Sequence, residues 1–454
     1  MERVPADRAV ADPLVLPDRP DATLDDYRSR GGGRAIHTVL QQPAEASIDQ
    51  IADAGLRGRG GAGFPTGTKW RSVRSDPCPT KYAVCNGAEG EPGTFKDRWI
   101  LRNTPYAVLE GLAIAAWVVG AKRAFIAVKS AFTRESDIVD RALAEMSAAG
   151  LLGPVPIELV HGPDEYLFGE EKALLEVIEG NQPLPRILPP YQVGLFASTE
   201  SANPTLVNNV ETLANVPVII ERGAKSFRTW GTDSSPGTMV FTISGDVRVP
   251  GVYELPLGTP LRVLVEEIAG GARDGHTLKA IIPGASATVL TADQLDTPMD
   301  FDSMKAVGSG LGSAGFVVYD DSACIVSAVA TFSRFLYVES CAQCSACKTG
   351  TDDITAALET IEHGDGGELE LATALERCTN VTDGQRCALP TGEALLVSSA
   401  IRLFEDEFRA HLGRPCPRPR DLPIPKFVDY DPALGQFSYD TRYRLKRPDW
   451  TFPT

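Results

Sequence analysis

The spacing of apolar positions divides the chain into stretches of different texture. Between residues 35 and 235, short apolar runs alternate with amphipathic stretches. Tyr82–Cys85, Ala124–Lys129 and Pro156–Val160 have the length and composition of strands. Ser47–Ala54, Pro105–Val119, Glu135–Ala149 and Glu170–Glu179 have helical spacing. In Glu135–Ala149 the residues Ile138, Val139, Ala142, Leu143 and Met146 share one face, and Glu170–Glu179 is entered through Gly169. Strands alternating with helices predict an α/β fold around a largely parallel sheet. Near residue 236 the pattern changes. MVFTISGDVRVPGVYELP contains two strand runs about Gly245-Asp246, LRVLVEEIAG predicts one helix from near Pro260, and LKAIIPG predicts another strand. This predicts a small β-rich domain over 236–325. From 326 to 412 the chain turns helical, with spacing that predicts helices at Val326–Val338, Asp352–Glu362, Glu368–Arg377 and Glu393–His411. Residues 1–34 predict an irregular N-terminal arm. Residues 413–454, rich in Pro and aromatics, predict an extended C-terminal tail that packs on something, with a partner protein as the candidate surface.

Composition narrows the function classes. The 454 residues carry a formal net charge of −16, against the basic footprint of a nucleic-acid binder. A local basic loop can still hold an anionic ligand inside an acidic protein. The longest apolar run, 111–121, would cross about half of a ~30 Å hydrocarbon core, so it predicts a buried helix and no membrane span. The N-terminal stretch is charged and broken by proline, which predicts no export signal and a cytoplasmic protein, or one peripheral to a membrane complex. Nine cysteines are too few for a disulfide scaffold of this length.

Three constellations carry chemistry. Residues 55–67, GLRGRGGAGFPTG, place six glycines in thirteen residues, so the backbone can approach a ligand and aim successive N–H groups at an anion. Arg57, Arg59 and Lys69 add positive charge there, which predicts a phosphate-bearing cofactor. The Gly-Lys-Ser/Thr ending of a nucleotide-triphosphate loop is absent. Residues 85–98, CNGAEGEPGTFKDR, follow a predicted strand and carry Glu89 and Glu91 on a Gly/Pro turn, where carboxylates can accept from a ring N–H or a ribose hydroxyl. Cys341, Cys344 and Cys347 converge by two-residue spacing. A ferredoxin pattern would place a fourth Cys at 351, where Thr stands, so the fourth ligand is remote: Cys387 or Cys378. Four thiolates suit a [4Fe–4S] cluster or structural zinc, and three close thiolates with one distant favour the cluster. Gly310–Gly315 matches GxGxxG but precedes a strand-like run at Phe316–Tyr319, the wrong order for a dinucleotide fingerprint. No Ser/His/Asp or HExxH arrangement supports hydrolysis.

Together these motifs closely resemble the NADH-binding flavoprotein subunits of respiratory complex I, a family that also includes the flavoprotein subunits of NAD-reducing hydrogenases and NAD-linked formate dehydrogenases. GLRGRGGAGFPTGTKW resembles the flavin loop, NGAEGEPGTFKDR the second nucleotide loop, EYLFGEEKALLEVIEG the glycine–double-glutamate helix and LVNNVETLANV the paired-asparagine segment. Residues 238–290 look like the family's ubiquitin-like domain, and ESCAQCSACKTG with CALPTGEA like its cluster ligands. The likeness runs collinearly over about 35–412.

The resemblance implies a Rossmann-like FMN/NADH domain over 35–235, a ubiquitin-like β-grasp (SLBB-type) domain over 236–325 and a helical bundle carrying an iron–sulfur cluster over 326–412. FMN would sit on the glycine loop with Asn208, Asn209 and Thr212, and with Gly58, Arg59, Gly60, Lys69, Asn86, Glu89, Gly169 and Glu170. NADH would stack near Gly61, Phe64, Glu91, Tyr166 and Glu171. Cys341, Cys344, Cys347 and Cys387 would hold a [4Fe–4S] cluster. Hydride would pass between NAD(H) and FMN, and single electrons would leave through the cluster, with no catalytic acid or base from the protein. The implied partners are iron–sulfur subunits of a multi-subunit redox complex: a [2Fe–2S] thioredoxin-like subunit, a larger catalytic subunit, or both. Three departures accompany the resemblance. Ala88 stands where the family has an Asp at the flavin, Leu188 where it has a Lys before the paired prolines, and 194–208 is longer by about five residues. They leave open NADH, NADPH or neither as the redox partner, with ferredoxin or a catalytic oxidoreductase subunit as the alternative. A zinc-stapled structural subunit is the third reading.

Overall fold

The computed structural model describes residues 13–453, so residues 1–12 of the expected N-terminal arm lie outside it. The rest of that arm is tied down. The backbone N–H groups of Leu14, Val15 and Leu16 all donate to the buried Glu254 carboxylate, which satisfies an anion that would otherwise be costly to bury. Helix α1 (Leu24–Ser29) begins with a capping box in which Thr23 and Asp26 bond each other's backbone N–H. Helices α2 (Arg34–Leu40), α3 (Ala44–Ala54) and α4 (Thr66–Ser75) follow. The glycine loop joins α3 to α4.

A sheet then forms from β1 (Tyr82–Gly87), β2 (Arg123–Lys129), β3 (Ile157–Gly162) and β4 (Thr205–Asn209), interleaved with α5 (Lys96–Asn103), α6 (Pro105–Val119), α7 (Thr133–Ala148) and α8 (Glu171–Ile178). Strand order is β3-β2-β1-β4, all parallel. Helix α6 is apolar almost all round and buried along its length, as its composition demands. Its one acid, Glu110, accepts from the Tyr27 hydroxyl and from the N–H groups of Gly33 and Ile36, and so caps α2. Helix α6 packs closely on α9 (Val210–Arg222), because a Cβ at Gly111 would stand 2.0 Å from the Leu213 carbonyl oxygen.

Short α10 (Ala224–Phe227) leads into a second sheet of β5 (Thr238–Gly245), β6 (Gly251–Pro256), β7 (Leu278–Pro283) and β8 (Gly315–Asp320), ordered β6-β5-β8-β7. The β5–β8 pair is parallel and the other two pairs are antiparallel. The expected helix at LRVLVEEIAG is one wide turn over Val263–Ile268. Gly270 and Gly271, both at positive φ, end it. Short α11 (Phe301–Ala306) precedes β8.

Helices α12 (Ile325–Glu339), α13 (Ser345–His363), α14 (Glu368–Asn380), α15 (Leu389–Leu403) and α16 (Glu405–Ala410) form the bundle. The expected continuous helix over 393–411 breaks at Phe404, whose φ and ψ are −124° and 34°. Glu405, Asp406 and Glu407 then open α16, where acids favour a new helix N-terminus.

The tail differs most from expectation. Residues Phe427–Asp431 (β9) and Gln436–Tyr439 (β10) form an antiparallel hairpin. Its rings pack on one another and on the molecule's own α5: Phe427 and Phe437 stack at 4.2 Å, and Tyr430 meets Trp99 edge-on at 5.3 Å. The Gly93 N–H donates to the Pro425 carbonyl, Arg98 donates to the Phe427 carbonyl, and Lys446 pairs with Glu339. The tail is therefore a folded part of this chain's own packing, where an extended arm was expected. Among the described residues no helix is long and apolar enough to cross a membrane.

Candidate functional site

In an open parallel sheet, ligands bind beyond the strand C-termini where the order reverses. Here that point lies between β1 and β4. Cys85 pairs with Asn208 and Asn86 with Asn209, so the expected loops meet there. The glycine loop closes on itself through the Gly58 N–H to the Phe64 carbonyl and docks on α9 through the Arg59 N–H to Thr212 Oγ1, both at 2.8 Å. The Asn209 side chain lies under Gly60, where a Cβ would come within 3.2 Å of its own Cβ. Gly61 has φ of +134° and nothing within 4 Å of a Cβ except Gly312 at that limit. Phe64 is 54 % exposed at the mouth. This open, side-chain-free floor fits a flat ring system with a phosphate tail. Asn86 donates to the Gly169 carbonyl at 2.7 Å, and Gly169 lies so near β1's exit that a Cβ would be 2.9 Å from the Ala88 oxygen.

The charge of the cradle differs from the sequence reading. Arg57 pairs with Asp302, Lys69 with Glu171 at 2.9 Å, and the buried Arg59 donates to the Pro236 and Arg57 carbonyls. All three cations are engaged within the chain, so an anion would meet backbone N–H groups. Glu89 is turned onto α5, accepting from the Asp97 N–H and from Arg98. Glu91 accepts from the Tyr166 hydroxyl at 2.5 Å and the Ala285 N–H at 2.7 Å, and burial raises its pKa. Glu170 caps α8 and burial pushes it up to about 7. Asn208 accepts from the Trp70 indole at 2.8 Å.

Sequence reasoning missed three supports. Lys96, fully buried, pairs with Asp97 at 2.7 Å and Glu211 at 2.9 Å and reaches Asn209. Glu339 accepts from the Tyr166 N–H and the Tyr443 hydroxyl. The GxGxxG segment leads into β8 as its order required, yet it lies beside Gly61, and Ser313 bonds Thr94.

The second site is a pocket in the bundle lined by Cys341, Cys344, Cys347 and Cys387, with Leu167, Ser340, Ala342, Gln343, Arg386, Leu389 and Pro390. Cys378 does not line it. Tetrahedral zinc with Zn–S near 2.3 Å needs sulfurs about 3.8 Å apart. Among the described residues, no three of these four sulfurs come within 4.8 Å of one another. The donor set fits the larger body of an iron–sulfur cube. Ala342 and Ser345 are exposed, so the loop breaks the surface.

Below the pocket, Glu393 on α15 is buried and bonded to Ser333, with its second oxygen unpartnered. Burial pushes it up to about 8. Unfolding returns a raised carboxyl to its ordinary pKa, so stability falls as pH rises from about 5 towards 8. Glu393→Gln is expected to flatten this slope by about 1.4 kcal/mol per pH unit at most. Chemical denaturation of both proteins at pH 5.5 and 8 would expose an unchanged slope.

Three family models fall along the chain in order: the Nuo51 FMN-binding domain at residues 51–218, the SLBB domain at 240–285 and the NADH-ubiquinone oxidoreductase-F iron–sulfur binding region at 327–411. The second F-type subunit of NADH-quinone oxidoreductase in Rhizobium meliloti (strain 1021) is 42% identical over 416 residues, covering 88% of this chain and 97% of that protein. The NADH-quinone oxidoreductase F-type subunit of Mycobacterium bovis (strain ATCC BAA-935 / AF2122/97) is 40% identical over 414 residues, covering 87% and 91%. The crystal structure of an NAD⁺-reducing [NiFe]-hydrogenase in the H₂-reduced state superposes with a TM-score of 0.77 at 33% identity, covering 89% of this chain and 68% of that one. With relatives this similar over nearly their whole length, the chain belongs to the family of NADH-quinone oxidoreductase F-type subunits.

Proposed function

We propose that the cradle at the β1–β4 switch point holds FMN and admits NADH over Phe64, and that Cys341, Cys344, Cys347 and Cys387 hold the [4Fe–4S] cluster that carries electrons away. The chain is a flavoprotein iron–sulfur electron-transfer subunit of the NADH dehydrogenase type. Bound FMN supplies the conversion between a two-electron hydride and single electrons. The observation that carries the residue assignment is the short turn Tyr166–Gly169. Tyr166 bonds Glu91, Gly169 bonds Asn86, and Leu167 lines the cysteine pocket. One turn is thus a wall of both sites, so the two groups would sit on either side of a few residues. The chain's own work is orientation: Asn86 fixes the turn and Glu91 fixes Tyr166.

The exposed Ala342 and Ser345 give a second iron–sulfur protein access to the cluster. We assign this surface to a [2Fe–2S] thioredoxin-like subunit or a larger catalytic subunit of the complex. Stopped-flow mixing with NADH is expected to bleach the flavin. Phe64→Ala is expected to raise the NADH concentration for half-maximal bleaching about tenfold, or about 1.4 kcal/mol, while reduction by dithionite is unchanged. Bleaching by dithionite but by neither NADH nor NADPH would overturn the nucleotide assignment and favour a ferredoxin or catalytic-subunit donor.

A further inference from the structure

Cys324, His411 and Cys416 stand apart from the four-cysteine pocket and place their three donor atoms within 4.8 Å of one another. The first lies at the start of the helical bundle, and the other two lie beyond its end. Cys324 is the N-cap of α12, and the Ser327 N–H donates to its sulfur at 3.5 Å. His411 follows α16 and is fully buried. Its Nδ1 is 2.7 Å from the Glu407 carbonyl oxygen. A carbonyl only accepts, so Nδ1 donates there and Nε2 is the ring nitrogen left to a ligand. Nε2 faces Cys324 Sγ at 3.3 Å. A backbone carbonyl holding one ring nitrogen while the other faces thiols is the support that metal-ligating histidines use. In tetrahedral zinc, with Zn–S near 2.3 Å and Zn–N near 2.0–2.1 Å, sulfur and nitrogen stand about 3.6 Å apart, within a few tenths of an ångström of what is already in place.

We propose that Cys324, His411 and Cys416 form a second metal site, one that takes zinc as a Cys₂His centre with its fourth position open to water. The donor softness suits zinc over magnesium or calcium. The Glu407 carboxylate is not the fourth ligand, because it is engaged by Lys279 and the Ile325 N–H. The metal is a staple. It fastens the root of the tail to the first helix of the bundle, ahead of the segment where Leu422 and Ile424 are buried and the Pro425 carbonyl holds Gly93.

The test is metal analysis of the full-length holoprotein, with zinc, iron and FMN read separately. One zinc per chain is expected beside the cluster iron. Cys324→Ser and Cys416→Ser are each expected to bring zinc to background while FMN and iron stay at wild-type levels. Cobalt-supplemented growth is expected to give the wild type a thiolate-to-cobalt absorption band that both variants lack, with their retained FMN and iron showing that they are folded. Zinc removal by a chelator is expected to speed tryptic cleavage after Arg420, the arginine of this segment that no proline follows. Three results would overturn the proposal. One is a wild type with neither zinc nor a cobalt band. Another is zinc unchanged in both variants, which would move it to the four-cysteine pocket. The third is a peptide map that recovers Cys324 joined to Cys416, two hydrogens lighter, with no zinc bound.

Discussion

Cys387→Ser is expected to remove the iron–sulfur cluster while leaving FMN in place. Cys387 lines the same pocket as Cys341, Cys344 and Cys347, although forty residues separate it from Cys347. It sits just before α15, so its position depends on the whole α13–α14 hairpin folding back. Three thiolates from one loop leave an iron corner unligated, and serine is a harder, more basic donor than the site is built for. Iron and acid-labile sulfide should fall to background, and the electron paramagnetic resonance signal of the reduced cluster should vanish. Flavin bleaching by NADH should persist, because the switch-point cradle is built from other elements, while reduction of any acceptor that draws on the cluster should stop. Cys378→Ser is the matched control and should keep both iron and signal. A variant at Cys387 that retains its full cluster signal, or one at Cys378 that loses it, would reverse the ligand assignment.

The second large effect is expected from Lys96→Met, near the cradle and far from the cluster. Lys96 is fully buried between Asp97 and Glu211, and Asn209 donates to Asp97 at 2.7 Å. Burial opposes its charge, but the two carboxylates outweigh that and hold its pKa above the ordinary value. Glu211 also accepts from the Val240 N–H, which ties α9 to the second sheet. Removing the cation leaves two buried carboxylates without their counter-charge, a loss of about 3–5 kcal/mol. The denaturation midpoint should fall accordingly, and FMN should be released more readily because Asn209, under Gly60, loses its setting. A midpoint within about 1 kcal/mol of wild type would show that the network relaxes around the loss.

The two predictions separate what local pattern discloses from what it hides. Strands β1, β2 and β3 were legible because each is a short apolar run between polar turns, and α6 because no surface helix is so apolar. The cysteine loop was legible because three thiols at fixed spacing have few other uses. The fourth thiol was narrowed to two candidates, and only the return of the chain through α13 and α14 places Cys387 in the pocket. Lys96 was invisible as a support, since Glu211 lies 115 positions away and a Lys-Asp pair in a glycine-rich loop reads as solvated. The partners of Arg57 and Arg59 were hidden for the same reason: Asp302 and Pro236 arrive from elsewhere in the chain. The tail misled because its prolines mask the strand pattern of Phe427, Tyr430, Phe437 and Tyr439, and the rings that cover it belong to α5.

The bond from the Gly93 N–H to the Pro425 carbonyl also orders events in time. The loop leaving β1 is made on the ribosome 332 positions ahead of the residue that braces it. Until then the aromatic hairpin over α5 is missing, and the cradle stands without one of its supports. The loop leaving β1 has its full set of contacts only once residue 425 is in place. A polypeptide broken off before residue 425 would carry every glycine and asparagine of the cradle, yet it would lack the brace on the loop that leaves β1.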